Sequence, residues 1–154
     1  MGAEARLKEF GLELPAPPQA LGLYKPIVVV NGLAYLSGHG PIGVDGSAIC
    51  GRLGDDLDVP AGFDAARRAA LLVLATLRQH CGSLDKVKRL VKTMGFVNSA
   101  ANFTQQPAVI NGFSELMRDV FGPEAGIAAR SAVGAPSLPA GWAVEIDVIF
   151  EVEA

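Results

Sequence analysis

One arginine and two carboxylates in the last thirty residues of the sequence are the side chains best suited to ligand chemistry. Arg130 lies in the segment 129–134, and Glu145 and Asp147 lie in the segment 144–150. A guanidinium is a rigid fork that binds a carboxylate through two hydrogen bonds, and a carboxylate can position water or move a proton. If the two segments are neighbouring strands, Arg130 either pairs with Glu145 or Asp147, or it grips a small polar ligand together with Glu145. The residues alone leave both alternatives open.

These two segments have the pattern of β-strands around a turn that contains Ser137, Leu138 and Pro139. Apolar residues alternate with carboxylates in the second segment, and successive side chains of a strand point to opposite faces. Glu145 and Asp147 are therefore expected on one face of a sheet.

A β-hairpin is predicted early in the chain. Asn31-Gly32 separates the apolar runs 26–30 and 33–37, which is typical of a two-residue hairpin turn. The segment 38–41 contains two glycines and a proline and is expected to break the second strand. The following residues, 42–60, are rich in Gly and Asp and are interpreted as a long loop.

Two helices are predicted because apolar residues recur at intervals of three and four. The first spans 61–82, with Gly82 as its stop. The second begins near Pro107 and ends before Gly122, and its expected buried face is Ile110, Phe113, Met117 and Val120. A central strand is expected between them, over 87–98.

The chain divides into a short N-terminal part and one main domain. Residues 1–22 are predicted to form a helix and a Pro-rich connector, and residues 23–154 form the domain. The predicted order of elements is helix, strand, strand, helix, strand, helix, strand, strand, which indicates an α+β fold. Two helices would cover one face of a mixed, mostly antiparallel sheet, and the apolar surface of the other face predicts an oligomer.

Composition excludes several classes of function. The 154 residues are 50% hydrophobic and 19% charged, with a formal net charge of -3, which argues against nucleic acid as a partner. No stretch is apolar enough to cross a membrane or to act as a secretion signal, so we expect a cytoplasmic protein. Cys50 and Cys81 have no metal-ligand spacing with His39 and His80, so we expect no metal site.

Several short motifs together resemble the RidA/YjgF family of reactive intermediate deaminases, also labelled L-PSP endoribonucleases. The resemblance covers the chain from Tyr24 onward. The matching residues are Leu36-Ser37-Gly38, Val91-Lys92-Thr93, Phe96-Val97, Ala129-Arg130-Ser131, Leu138-Pro139 and Val144-Glu145-Ile146-Asp147.

This resemblance implies a chorismate-mutase-like fold and a homotrimer with ligand clefts between subunits. It implies a hydrolase of the 2-iminobutanoate/2-iminopropanoate deaminase type, which converts 2-imino acids to 2-oxo acids and ammonia without a cofactor. Two alternatives remain, a non-catalytic trimer that binds a 2-oxo acid or another small carboxylate, and an endoribonuclease. The acidic balance of the chain ranks the endoribonuclease below the other two.

The resemblance also assigns roles to residues. Arg130 would bind the substrate carboxylate, and Glu145 would position or activate the water. Tyr24, Ser37 and Gly38 would line the cleft, and Asp147 is interpreted as an interface or solvated carboxylate.

Two positions depart from the family pattern. His39 stands where many relatives have Gln, and Ala132 replaces a common Cys. His39 is either a pH-sensitive contact with the substrate or a hydrogen-bonded loop histidine.

Overall fold

The computed structural model describes residues 1–154 as one five-stranded sheet with helices on one face. The helices are α1 (Ala3–Glu9), α2 (Val59–Cys81), α3 (Gln106–Phe121) and the one-turn α4 (Pro123–Gly126). The strands are β1 (Ile27–Val30), β2 (Leu33–His39), β3 (Val87–Asn98), β4 (Ala129–Ala135) and β5 (Val144–Val152). None of the helices is both long and apolar enough to cross a membrane.

The strands lie in the order β1-β2-β5-β3-β4. β3 and β4 are parallel, with α3 as the crossover between them, and every other pair is antiparallel. The predicted α+β class, with two helices on one face of a mixed, mostly antiparallel sheet, is confirmed, and β3 is internal as predicted.

One prediction about the sheet is wrong. The sequence suggested that the strands carrying Arg130 and Glu145 are neighbours, because they follow each other along the chain. In the structure β3 lies between β4 and β5. A parallel partner requires a long crossover, and α3 supplies one, so β4 pairs with the strand that precedes α3. A direct cross-strand pair between Arg130 and Glu145 or Asp147 is therefore excluded within one chain.

The β1-β2 hairpin is confirmed. Asn31 and Gly32 both have positive φ, 51° and 76°, as a type I′ turn requires. The second strand is longer than expected, because β2 continues to His39 instead of ending at Ser37. It does so through a bulge, in which three steps along β2 from Leu36 to His39 match two steps along β5 from Val148 to Ile146.

The core lies between the sheet and the two long helices. Asp58 caps α2 by accepting a hydrogen bond from the Ala61 amide, and Gly82 ends it in the left-handed conformation. The predicted buried face of α3 is confirmed, since Ile110, Phe113, Met117 and Val120 are all fully buried. α2 and α3 pack closely, because a side chain at Gly112 would overlap the Phe63 backbone. The helices thus cover one face of the sheet and leave the other face open.

The opposite face of the sheet is not covered within the chain. Val28, Val30, Tyr35 and Val133 are all more than 40% exposed. Register places Tyr35 beside Ile149 on this face. An apolar sheet face of this kind is typical of a surface that another subunit covers.

Candidate functional site

Arg130 is held by α3 and not by a carboxylate. Its Nη1 donates to Asn111 Oδ1 at 2.8 Å and to Ser114 Oγ at 3.2 Å. Both partners are neutral, and the residue forms no ion pair within the chain. The Nε and Nη2 groups donate no hydrogen bond inside the chain, so one edge of the guanidinium fork is free to bind a planar anion.

The partners of Arg130 follow from the amphipathic pattern of α3. Asn111 and Ser114 are three residues apart, so they lie on one face of the helix. That face points toward β4, while the buried face points into the core. The sequence contained this signal as a polar stripe beside Ile110 and Phe113, but the stripe alone did not identify its partner.

A polar cavity of about 320 Å³ surrounds Arg130 at this edge of the sheet. Its lining residues are Thr93, Asn111, Ser114, Glu115, Arg118, Ile127, Ala128 and Arg130. Thr93 is the register partner of Arg130 on β3, and both side chains lie on the helix-covered face of the sheet. The cavity can hold a small polar molecule against the guanidinium.

Glu145 lies on the other face of the sheet. It is the register partner of Phe96 on β3 and alternates along β5 with buried Val144 and Ile146. Burial raises the pKa of its carboxyl group above the usual range, and the nearby charge of Asp147 raises it further. A carboxylate with a raised pKa is a better proton acceptor than an ordinary one.

The Glu145 side chain lies directly over Gly38. A methyl group at Gly38 would overlap the Glu145 carboxylate, so the absence of a side chain there lets the two strands approach. The bulge in β2 falls at Ser37 and Gly38, and bulges commonly re-aim the backbone beside functional sites. The structure thus brings Gly38 and Glu145 together as the sequence suggested.

Ser37 uses its polar groups inside the protein. Its hydroxyl donates to the Lys25 carbonyl at 2.6 Å, and its amide donates to the Pro26 carbonyl at 2.9 Å. No histidine or aspartate activates the hydroxyl, so its role in the fold is to hold the bulge against the segment before β1.

His39 is a buried histidine at the end of β2 and not a loop residue. Its Nδ1 donates to the Ser37 carbonyl at 2.6 Å, and its Nε2 lies 2.7 Å from Thr76 Oγ1. Because a carbonyl only accepts, the neutral ring carries its proton on Nδ1 and accepts from the Thr76 hydroxyl. Burial lowers the pKa of His39. The His39 ring therefore holds the Ser37 carbonyl in place through this hydrogen bond.

Tyr24 is half exposed and lies in the connector before β1, where its hydroxyl accepts from the Leu21 amide at 3.4 Å. A second cavity of about 230 Å³ lies between this connector and the end of β2. Tyr24, Ser37, Gly38 and His39 all line it. Four of the residues suggested by the sequence thus gather in one place, and Gly38 connects them to Glu145.

The candidate residues therefore form two groups, which we name by their strongest side chains. The arginine group is Arg130 with Asn111 and Ser114, and the glutamate group is Glu145 with Gly38 and the cavity beside it. Because Arg130 and Glu145 project from opposite faces of one sheet, they do not share a cleft within a single chain.

Comparison with known proteins gives a family match over nearly the whole chain. Residues 4–151 match the family described as "YjgF/chorismate_mutase-like, putative endoribonuclease". The matched range includes α1.

Individual relatives agree over similar lengths. Protein TCP17 of Trypanosoma cruzi is 42% identical over 96% of this chain and 92% of its own length. The crystal structure of Atu1372 from Agrobacterium tumefaciens is 39% identical, with a TM-score of 0.89, and the match covers 99% of this chain and 92% of that one. A Shewanella oneidensis structure named "putative endoribonuclease" is 33% identical, with a TM-score of 0.93, and covers 99% of this chain and 100% of that one.

Proposed function

The chain belongs to the YjgF/chorismate mutase-like family, and from that premise we propose that it is an enamine/imine deaminase. It hydrolyses reactive 2-imino acids to the 2-oxo acid and ammonia. The observation that carries the proposal is the free edge of Arg130. Two neutral acceptors fix one nitrogen of the guanidinium and leave the other two to a ligand.

A 2-imino acid matches this arrangement because its carboxylate is planar and anionic. The Nε and Nη2 groups can donate two parallel hydrogen bonds to the two carboxylate oxygens. A lysine would supply charge without the fork. Anchoring the carboxylate fixes the position of the adjacent imine carbon, which is the atom that water must attack.

Glu145 supplies the proton chemistry. Its carboxylate takes a proton from water as the oxygen adds to the carbon of the protonated imine, which gives a neutral tetrahedral amino alcohol. Glu145 returns that proton to the nitrogen, the C–N bond breaks and ammonia leaves, and the carboxylate takes the hydroxyl proton as the 2-oxo acid forms. The raised pKa of Glu145 suits a group that accepts and returns a proton.

The two groups meet between subunits in this proposal. Arg130 on the edge strand β4 of one subunit faces Glu145 and Gly38 of the next, and closure of the ring gives a homotrimer with three clefts. The uncovered apolar sheet face, which bears Val28, Tyr35 and Val133, supports such an assembly.

The test is a coupled reaction in which threonine dehydratase generates 2-iminobutanoate. We expect added protein to accelerate the loss of the imine, and we expect Arg130→Ala to abolish the effect while the melting temperature and the oligomer mass stay those of the wild type. Wild-type protein that leaves the rate of imine loss unchanged would sink the assignment.

A binding-only protein is the alternative that the same geometry supports. The free edge of Arg130 would hold a 2-oxo acid equally well, so tight and Arg130-dependent binding without turnover of any imino acid would favour it. The endoribonuclease name belongs to the relatives that bear it. In this acidic chain, RNA cleavage that is lost on Arg130→Ala would be needed to support that activity.

A further inference from the structure

The second cavity, between the connector and β2, has a wall that is mostly apolar. Its lining residues are Pro18, Gln19, Leu21, Tyr24, Pro26, Ser37, Gly38, His39, Gly40, Ile42, Leu72 and Trp142. Trp142 is the only tryptophan in the chain. Its indole packs against Gly40 so closely that a side chain at Gly40 would overlap the ring.

Two of the polar side chains of this wall, Ser37 and His39, are already engaged inside the protein. Ser37 donates its hydroxyl proton to the Lys25 carbonyl, and both ring nitrogens of His39 have partners. A polar ligand group placed against these two residues would lose its hydrogen bonds to water and find few in return. The wall therefore favours an apolar group.

Leu72 forms part of the wall of this cavity. It projects from α2 and is almost fully buried, yet it lies outside the main cluster of core side chains. Leu72 therefore presents an apolar surface to the cavity.

The cavity also adjoins the proposed reaction centre. Gly38 borders the cavity and contacts Glu145. A substrate held with its imine carbon near Glu145 can thus extend a side chain past the β2 bulge toward Leu72 and Trp142. Proton transfer at Glu145 and binding of the apolar side chain would then take place on opposite sides of the backbone at Gly38.

We propose that this cavity binds the substrate side chain and selects 2-imino acids with a large branched or aromatic group. The inference rests on the proposed function. The volume of the cavity supports this class of substrate, because a cavity of roughly 150 Å³ can hold benzene and this one has about 230 Å³. The methyl or ethyl group of the smallest 2-imino acids would leave most of the space without contacts.

The first test compares imines produced in place by an L-amino-acid oxidase from alanine, leucine and phenylalanine. We expect kcat/KM for the leucine- and phenylalanine-derived imines to exceed that for the alanine-derived imine by about tenfold or more. Equal values, or a preference for the alanine-derived imine, would overturn the inference.

Substitutions in the cavity should move this ratio. Leu72→Phe fills part of the cavity and should reduce the preference for large side chains by about fivefold to tenfold. Ile42→Phe, at a half-buried position, tests the same point if Leu72→Phe folds poorly. Val44→Phe is the matched control, because Val44 lies exposed in the same loop outside the cavity. An unchanged ratio in both folded cavity variants would contradict the inference.

Trp142 gives a readout that does not depend on turnover. Titration with 4-methyl-2-oxopentanoate should shift the tryptophan fluorescence with a Kd about tenfold lower than that for pyruvate. If this preference appears without turnover of any imine, the cavity assignment stands and the deaminase proposal fails. Turnover of 2-iminobutanoate with no chain-length preference in either assay overturns the cavity assignment and leaves the deaminase proposal standing.

Discussion

The arginine group and the glutamate group differ in what surrounds their charged side chains. Arg130 lies among hydroxyl and amide side chains that fix its orientation by hydrogen bonds. Glu145 lies against a glycine backbone, and burial is the main cause of its raised pKa. One environment fixes the orientation of a charge, and the other makes a charge easier to neutralise.

This difference separates recognition from proton transfer. A cation that binds a carboxylate needs a fixed orientation and free donors, and the hydrogen bonds from Nη1 to Asn111 and Ser114 provide the first while they leave Nε and Nη2 free. A general base must change its protonation state, and partial burial with a like charge nearby helps it do so. In the proposed mechanism the sheet carries these two functions on its two faces, and a second subunit would bring them together.

Complementation between two inactive variants tests that separation most directly. Arg130→Ala and Glu145→Gln should each lower kcat/KM by about 100-fold or more. When the two variants are co-expressed in equal amounts, the population should regain about a quarter of wild-type activity, because about three quarters of randomly assembled trimers are mixed and each mixed trimer has one of its three junctions intact. Activity of the purified, co-expressed material is the measurement.

The control is a double variant that carries both substitutions in one chain, mixed with wild type at the same ratio. No recovery from the co-expressed single variants, with mixed trimers verified by mass spectrometry, would contradict the proposal that Arg130 and Glu145 act together at a junction between subunits.

Gly38→Ala should disturb the glutamate group alone. The added methyl displaces the Glu145 carboxylate, and a shift of about 1 Å at a reacting group can cost up to roughly 100-fold in rate. We expect kcat to fall by about tenfold to 100-fold while binding of a 2-oxo acid persists. Gly22→Ala is the comparison, since the new methyl there meets Tyr24 at an ordinary distance of 3.7 Å. A fall in binding without a fall in kcat would argue that Gly38 belongs to recognition.

Asn111→Ala should disturb the arginine group alone. Losing the 2.8 Å hydrogen bond frees the guanidinium to rotate, and a hydrogen bond to a charged group contributes about 1.5–3 kcal/mol. KM should rise by about tenfold with little change in kcat. Asn102→Ala, at an exposed turn, should leave kcat and KM unchanged. A fall in kcat at unchanged KM would assign Asn111 to the chemical step.

Asp147→Asn should give the smallest effect, a shift in pH dependence. The nearby carboxylate is the second cause of the raised pKa of Glu145, so its neutralisation lowers that pKa without removing the larger effect of burial. The acid limb of the kcat/KM profile should move to lower pH by less than about one unit. A shift to higher pH would contradict the assigned repulsion.

The same substitution should alter stability in a defined direction. Because the folded chain binds the Glu145 proton more tightly than the unfolded chain, the free energy of unfolding falls as pH rises from 4.5 through the raised pKa. The Asp147 carboxyl, whose pKa burial also raises, adds to that loss. The decline should be shallower in Asp147→Asn, as measured by urea denaturation at several pH values.

The sequence predicted the features that depend on near neighbours. The Asn31-Gly32 turn and the amphipathic patterns of α2 and α3 are local, and each is confirmed. The RidA/YjgF resemblance is confirmed by the family match. Strand order was not predictable in the same way, because it depends on which distant strands pair, and the parallel pairing of β3 with β4 separates two strands that follow each other in sequence.

The site was predicted in part for the same reason. Residue types indicated Arg130 and Glu145, but the partners that hold Arg130 lie on a helix, and their distance in sequence hid the contact. The bulge at Ser37 and Gly38 was also hidden, since glycine after a strand suggests an end more often than a bulge. The roles of the site residues, the division at residue 22 and the cytoplasmic location remain predictions.

The position of β5 in the sheet has a consequence for how the molecule is made. Among the five strands β5 is last in chain order, yet it lies in the middle of the sheet, between β2 and β3. During synthesis one edge of the β1-β2 hairpin therefore stays unpaired until β5 has left the ribosome. Because Glu145 is on β5, the proposed base takes its place in the sheet only when this strand pairs with β2 and β3.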